Sequence, residues 1–156
     1  MTLSVGDKAP DFDLPSDAGQ ARLADLRGSP AVIYFYPKDD TSGCTAEAQD
    51  FTLLGADFAA AGVVVVGVSK DTPQSHAKFR AKYGLSPVLA SDVTGAMVED
   101  WGVWVEKSLY GRKYMGIERA TFLLDATGVI RRVWRKVKVK NHAAEVLATA
   151  RGLLPT

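Results

Sequence analysis

Cys44 is the only cysteine of the chain, and it closes the octapeptide Pro37-Lys38-Asp39-Asp40-Thr41-Ser42-Gly43-Cys44. That octapeptide follows the apolar run Ala31-Val32-Ile33-Tyr34-Phe35-Tyr36 and precedes a segment patterned as a helix from Thr45 onward. A thiol at such a strand-to-helix junction is well placed for activation. The first N–H groups of a helix have no internal partner, and the aligned peptide dipoles add partial positive charge there. Both favour the thiolate, which is the nucleophilic form. Against this stands the common role of a free cysteine as a small buried hydrophobe. The neighbours argue for chemistry. Ser42 and Gly43 make a loop rather than a core strand, Pro37 fixes the backbone at the strand exit, and Thr41 puts a hydroxyl upstream of the sulfur. The pattern is that of a thiol-dependent enzyme.

Composition bounds what surrounds this thiol. With 156 residues, 47% hydrophobic and 24% charged, the chain is expected to form one domain over residues 1–156 with a core of ordinary size. A net charge of +1 gives the whole molecule no electrostatic reason to seek nucleic acid or an anionic membrane. No apolar run reaches the length of a bilayer span, and the start, Met1 to Lys8, lacks the basic and apolar regions of a secretory signal. One cysteine rules out an internal disulfide framework and a cysteine-rich zinc site. No metal-ligand spacing is present, no cofactor is implied, and a reducing cytoplasm is the expected compartment.

The elements that must position Cys44 alternate in type. Asp11–Leu14 and Ala21–Leu23 read as short strands around a turn at Ser16–Gly19, an N-terminal hairpin. Ala31–Tyr36 reads as a buried central strand. A helix is expected from Thr45 to about Ala60, with Ala48, Phe51, Leu54 and Phe58 near helical spacing. The run Val63–Val68 has no polar alternation, which suits a parallel strand covered on both faces. Thr72-Pro73 opens a helix from Gln74 to Tyr83 that Gly84 ends. Pro87–Ala90 is a short strand, Gly95–Glu99 a short helix, and Gly102–Gly116 reads as irregular. Ala120–Leu124 and Val129–Val139 form a hairpin, and Asn141 caps a last helix running to Gly152. The order describes an α/β thioredoxin-like fold, a mixed central sheet flanked by helices, with the cysteine at the carboxyl end of a central strand, where such sheets commonly place their sites.

The segment Pro37-x-x-x-Thr41-x-x-Cys44 resembles the active-site pattern of the peroxiredoxins. The wider string Phe35–Thr45 is similar to that of their bacterioferritin-comigratory (peroxiredoxin Q) branch, as are Gly6–Phe12, Gly67-Val68-Ser69, Gly102-Val103-Trp104-x-Glu106-Lys107 and Gly116–Leu123. The likeness runs from about Val5 to Ala148, with the motifs in family order. It implies a hydroperoxide reductase in which Cys44 attacks the terminal peroxide oxygen as thiolate and becomes sulfenic acid. Arg119 falls at the family's arginine position, where a permanently charged planar guanidinium would hold both sulfur and peroxide. Thr41 would bond the thiolate or substrate, Pro37 would shield the pocket from water, and the backbone N–H groups of Gly43 and Cys44 would donate to the peroxide. Glu47, in the first turn of the helix, either orients Arg119 or merely answers the helix dipole.

One departure governs the rest of the cycle. Many members of this branch resolve the sulfenic acid with a second cysteine five residues on, and that position is Gln49 here. An external thiol is therefore expected to reduce Cys44, either a thioredoxin- or glutaredoxin-type protein or a small thiol, in preference to a second Cys44 across a dimer, and the resemblance favours a monomer over a homodimer. The other class of reading is a non-catalytic redox sensor or chaperone on the same fold. Among the remaining features, Arg131–Lys140 is locally basic and its alternating valines and lysines suggest a half-exposed strand. Trp101, Trp104, Tyr110 and Tyr114 either line a substrate entrance or pack a long loop, and His76 and His142 read as surface residues.

Overall fold

A computed structural model describes residues 3–153. Its centre is β3 (Ala31–Phe35), every residue of which is buried. Side chains alternate across a strand, so Ile33 and Phe35 enter one apolar cluster with Trp101 and Phe122, while Val32 and Tyr34 enter a second with Phe51, Phe58 and Leu147. Burial on both faces explains why this strand lacks polar alternation.

The strands β1 (Asp13–Ser16), β2 (Gly19–Arg22), β3, β4 (Val64–Ser69), β5 (Val88–Ser91), β8 (Ala120–Leu124) and β9 (Ile130–Trp134) form one mixed sheet ordered β2-β1-β5-β4-β3-β8-β9. β4 runs parallel to β3 and β5, whereas β8 is antiparallel to β3 and β9 to β8. The close pairing of β3 with β4 needs Gly67, because a Cβ there would lie 2.6 Å from the Tyr34 ring. The helices are α1 (Leu23–Leu26), α2 (Ser42–Leu53), α3 (Gly55–Ala60), α4 (Pro73–Tyr83), α5 (Ala96–Asp100) and α6 (His142–Arg151). Among them, α4 has the termini its sequence specifies: Thr72 accepts from the Ser75 N–H, Pro73 sits in the first turn and Gly84 closes the helix at φ 63°.

Several expectations are corrected. In the first hairpin the leading strand sits later, at Asp13–Ser16, and the second earlier, at Gly19–Arg22, with Leu23 already helical. The helix expected from Thr45 to Ala60 begins at Ser42 and is interrupted at Leu54, whose φ of −93° and ψ of 6° end α2 before α3 starts. The stretch Gly102–Gly116 is a separate two-stranded hairpin of β6 (Trp104–Leu109) and β7 (Arg112–Ile117). Its tip, Tyr110-Gly111, has φ values of 53° and 76°, the doubly left-handed turn that matches strand twist. β9 stops at Trp134 rather than Val139, since Lys136 turns left-handed at φ 47°. Asn141 occupies the N-cap position of α6 at φ 61° but makes no side-chain cap. Both histidines are buried, and Trp101, 0% exposed, is core rather than entrance.

Candidate active site

Cys44 is the third residue of α2 and only 2% exposed. The first intrahelical bond runs from the Thr45 N–H to the Thr41 carbonyl at 2.8 Å. The amides of Ser42, Gly43 and Cys44 therefore precede the helical ladder, and no side chain caps them. Thr41 sits at the N-cap position, but its hydroxyl donates to the Lys38 carbonyl at 2.9 Å rather than to the sulfur. That bond tightens the loop entering the helix. Pro37 stands exposed at the exit of β3, where it turns the chain toward Cys44.

Arg119 reaches the sulfur from the link between β7 and β8. Its Nη2 donates to Cys44 Sγ at 3.4 Å and its Nη1 to Glu47 Oε1 at 2.7 Å. Cys44 and Glu47 lie one turn apart on the same face of α2, which is why one planar guanidinium spans both. Gly43 makes the approach feasible, since a Cβ there would stand 3.1 Å from Arg119 Nη2. The ion pair is secluded, with the two side chains 17% and 1% exposed. Burial opposes the guanidinium charge, but Glu47 and Cys44 outweigh it and hold Arg119 firmly protonated. Burial pushes the Glu47 carboxyl up to about 7, with Arg119 pulling it the other way. Glu47 Oε2 has no hydrogen-bond partner, in keeping with that desolvation. Of the two partners, the carboxylate is the one whose charge is marginal.

A second buried network ties down the loop before Cys44, and sequence reasoning did not find it. Asp39 accepts from the Tyr36 hydroxyl at 2.6 Å and from Ser75 Oγ at 2.8 Å, with His76 Nδ1 also 2.8 Å away. His76 Nε2 lies 3.0 Å from the Ala90 carbonyl. Burial alone would raise the Asp39 carboxyl, yet the bonds from His76, Tyr36 and Ser75 hold it below the usual carboxylate range. Asp40 adds bonds to Lys82 Nζ at 2.8 Å and to the Tyr83 hydroxyl at 2.6 Å. The loop is thus anchored to α4 and, through His76, to β5. The adjacent acids Asp39 and Asp40 were the one visible signal, but nothing local pairs them with residues of a distant helix. Of the aromatic residues, Trp104 lies under Lys70 Nζ at 4.4 Å and Tyr110 projects, 99% exposed, from the β6–β7 tip.

A nucleophile at an open helix N-terminus, gripped by a guanidinium held in turn by a buried carboxylate, is equipped to break a bond to an electronegative oxygen. Known proteins carry the same arrangement of chain. Residues 5–133 match the family model described as the AhpC/TSA family. The bcp protein of Coxiella burnetii is 51% identical over 94% of this chain and 98% of its own. Peroxiredoxin Bcp of Bacillus subtilis is 46% identical over 98% of each. A cysteine-to-serine mutant of Xylella fastidiosa PrxQ superposes with a TM-score of 0.91 at 36% identity, covering 97% of this chain and 98% of that one. A structure of the Xanthomonas campestris bacterioferritin comigratory protein, studied for alkyl peroxide reduction, does so with a TM-score of 0.86 at 44% identity over 90% of each chain. End-to-end likeness at this level settles the grouping: the chain belongs to the AhpC/TSA family, in its Bcp and peroxiredoxin Q branch.

Proposed function

We propose that the chain is a thiol-dependent peroxidase that reduces hydrogen peroxide and organic hydroperoxides through Cys44. The thiolate attacks the terminal peroxide oxygen. An S–O bond forms, the O–O bond breaks, the sulfur loses two electrons, and the departing oxygen takes a proton to leave as water or alcohol. Charge grows on that oxygen as the bond opens. Arg119 and the amides of Ser42, Gly43 and Cys44 are the donors that answer it, fixed in advance and partly removed from water. Glu47 positions Arg119, Thr41 and Pro37 shape the loop, and Gly43 leaves room for the guanidinium.

The observation that carries this reading is the 3.4 Å approach of Arg119 Nη2 to Cys44 Sγ beside the uncapped start of α2. With no other cysteine in the chain, the sulfenic acid is returned to thiolate by an external thiol, of a thioredoxin- or glutaredoxin-type protein or a small molecule. Cys44, Glu47 and Arg119 come from one chain, so we take the monomer as the working unit. Among the described residues no helix is long and apolar enough to cross a membrane, and a cytoplasmic setting that keeps thiols reduced suits the cycle. Peroxide consumption with a thiol reductant tests the proposal. Turnover is expected in the wild type and none in Cys44→Ser; oxidation of Cys44 once, without turnover across a panel of reductants, would point to a sensor instead.

A further inference from the structure

The peroxidase cycle requires a thiol from outside, and the basic stretch Arg131–Lys140 offers a place to receive one. It holds six cations, of which all but Arg135 are exposed. After Trp134 the chain leaves the sheet, turns at Lys136, and returns to the active site, where the Val137 N–H donates to the carbonyl of Arg119 at 3.0 Å. A cleft of about 420 Å³ lies against this loop, lined among others by Trp134, Arg135, Lys136, Lys138, Lys140 and Glu145. Its volume falls within the roughly 300–1,000 Å³ of small-molecule sites.

Charge in the cleft is unbalanced. Glu145 is the carboxylate among its lining residues, and it already accepts from Trp134 Nε1 at 2.5 Å and faces Arg132 at 3.9 Å. Arg135 spends Nε on Glu118 and Nη2 on the Gly102 carbonyl, which leaves a buried Nη1 with no partner. Among the described residues, Lys136, Lys138 and Lys140 form no ion pair. Uncompensated exposed cations around a small concavity call for an anion with several acceptor groups. The loop that carries them is bonded to the very residue whose guanidinium touches Cys44.

We propose that this cleft recruits the reductant and selects a low-molecular-weight thiol bearing two or more carboxylate or phosphate groups. The inference rests on the peroxidase reading. The thiolate attacks Sγ of the sulfenic acid; an S–S bond forms, the S–O bond breaks, and hydroxide leaves with a proton as water. A second thiol attacks the mixed disulfide, releasing Cys44 thiolate and the oxidised reductant, so the two thiols together supply the two electrons.

The test mixes preformed Cys44 sulfenic acid with glutathione, coenzyme A, 2-mercaptoethanol and cysteamine at matched thiolate concentrations. The anionic thiols are expected to react on the order of tenfold faster than the neutral one, with cysteamine slowest and the order compressed by high salt. The triple variant K136S/K138S/K140S is expected to bring the glutathione to 2-mercaptoethanol ratio close to one. Glutathione and coenzyme A separate carboxylate from phosphate recognition. Equal rates across the charge series, a ratio that survives in the triple variant, or reduction by protein thiols alone would overturn the proposal. Binding of S-methylglutathione, which has no free thiol, is measured in parallel by calorimetry and is expected to be lost in the triple variant. Absence of that binding in the wild type sinks the cleft, whereas failure of peroxide to oxidise wild-type Cys44 sinks only the parent reading.

Discussion

Arg119 divides one guanidinium between a sulfur at 3.4 Å and a carboxylate at 2.7 Å, and the division depends on its shape. An ammonium is a point charge without the planar fork, so a lysine in its place pairs with Glu47 or approaches Cys44, not both. Arg119→Lys is therefore expected to slow peroxide oxidation of Cys44 by about 10²-fold, the scale of losing one positioned donor; a stopped-flow rate within a factor of two of wild type would remove the arginine from the chemistry. Gly43 gives a finer probe of the same contact. A methyl group 3.1 Å from Nη2 obliges the guanidinium to shift by a few tenths of an ångström. Gly43→Ala should cost roughly threefold to tenfold in that rate with little change in Tm, since alanine suits a helix better than glycine does. Cys44 was legible in the sequence because strand, loop and helix signals converge on it, and Glu47 because it follows by one turn. The hydroxyl of Thr41 was not: its nearest strong acceptor is the Lys38 carbonyl made available by the loop's own curvature.

The loop before Cys44 joins β3 to α2, and it keeps its shape because Asp39 ties it to α4. His76 is fully buried with its two ring nitrogens against Asp39 Oδ2 and the Ala90 carbonyl. Removing the carboxylate strands a buried imidazole, a tyrosine hydroxyl and a serine hydroxyl together. Asp39→Ala is expected to cost about 3 kcal/mol of stability, and amide exchange should quicken first in the loop preceding Cys44. Exchange that accelerates evenly through the whole sheet would show that the clamp does not act on the loop. This tether explains where sequence reading stops. Unbroken apolar runs mark strands buried on both faces and placed β3 and β4, and Thr72-Pro73 with Gly84 placed α4, while the pairing of Asp39 with a histidine 37 residues on leaves no local trace. The same limit hid the β6–β7 hairpin, whose strands alternate weakly because most of their residues are exposed. It also made a strand of the alternating valines and lysines after Trp134, where a left-handed Lys136 and the carbonyl of Arg119 decide the path instead.

At the scale of the whole molecule, two buried groups, Glu47 and His142, lie on opposite sides of the stability balance. Glu47 titrates at about 7 in the fold against an ordinary 4.5, so the folded state holds a proton that the unfolded chain has released between those values. Its contribution is complete below pH 4.5 and is lost as pH rises through about 7, a change of about 3 kcal/mol. His142 runs the other way. Burial lowers it to about 4 from 6.5, with Glu145 resisting and Arg119 reinforcing, so its contribution is present above pH 6.5 and lost as pH falls through about 4. Between about pH 4.5 and 6.5 the slopes oppose each other, and urea midpoints of the wild type should change little through that window beyond what other groups impose. Glu47→Gln removes one slope, leaving a protein whose stability falls on acidification; His142→Gln removes the other, leaving one whose stability falls on raising the pH toward 7. The double variant should flatten again. Parallel curves for all four proteins would mean that neither group is desolvated as the fold places it, and that the Arg119–Glu47 pair stays fully ionised across the range. A separation of the single variants in opposite directions would instead show that the carboxylate steadying Arg119 gains its charge near neutrality, so that the guanidinium beside Cys44 is least restrained in mild acid.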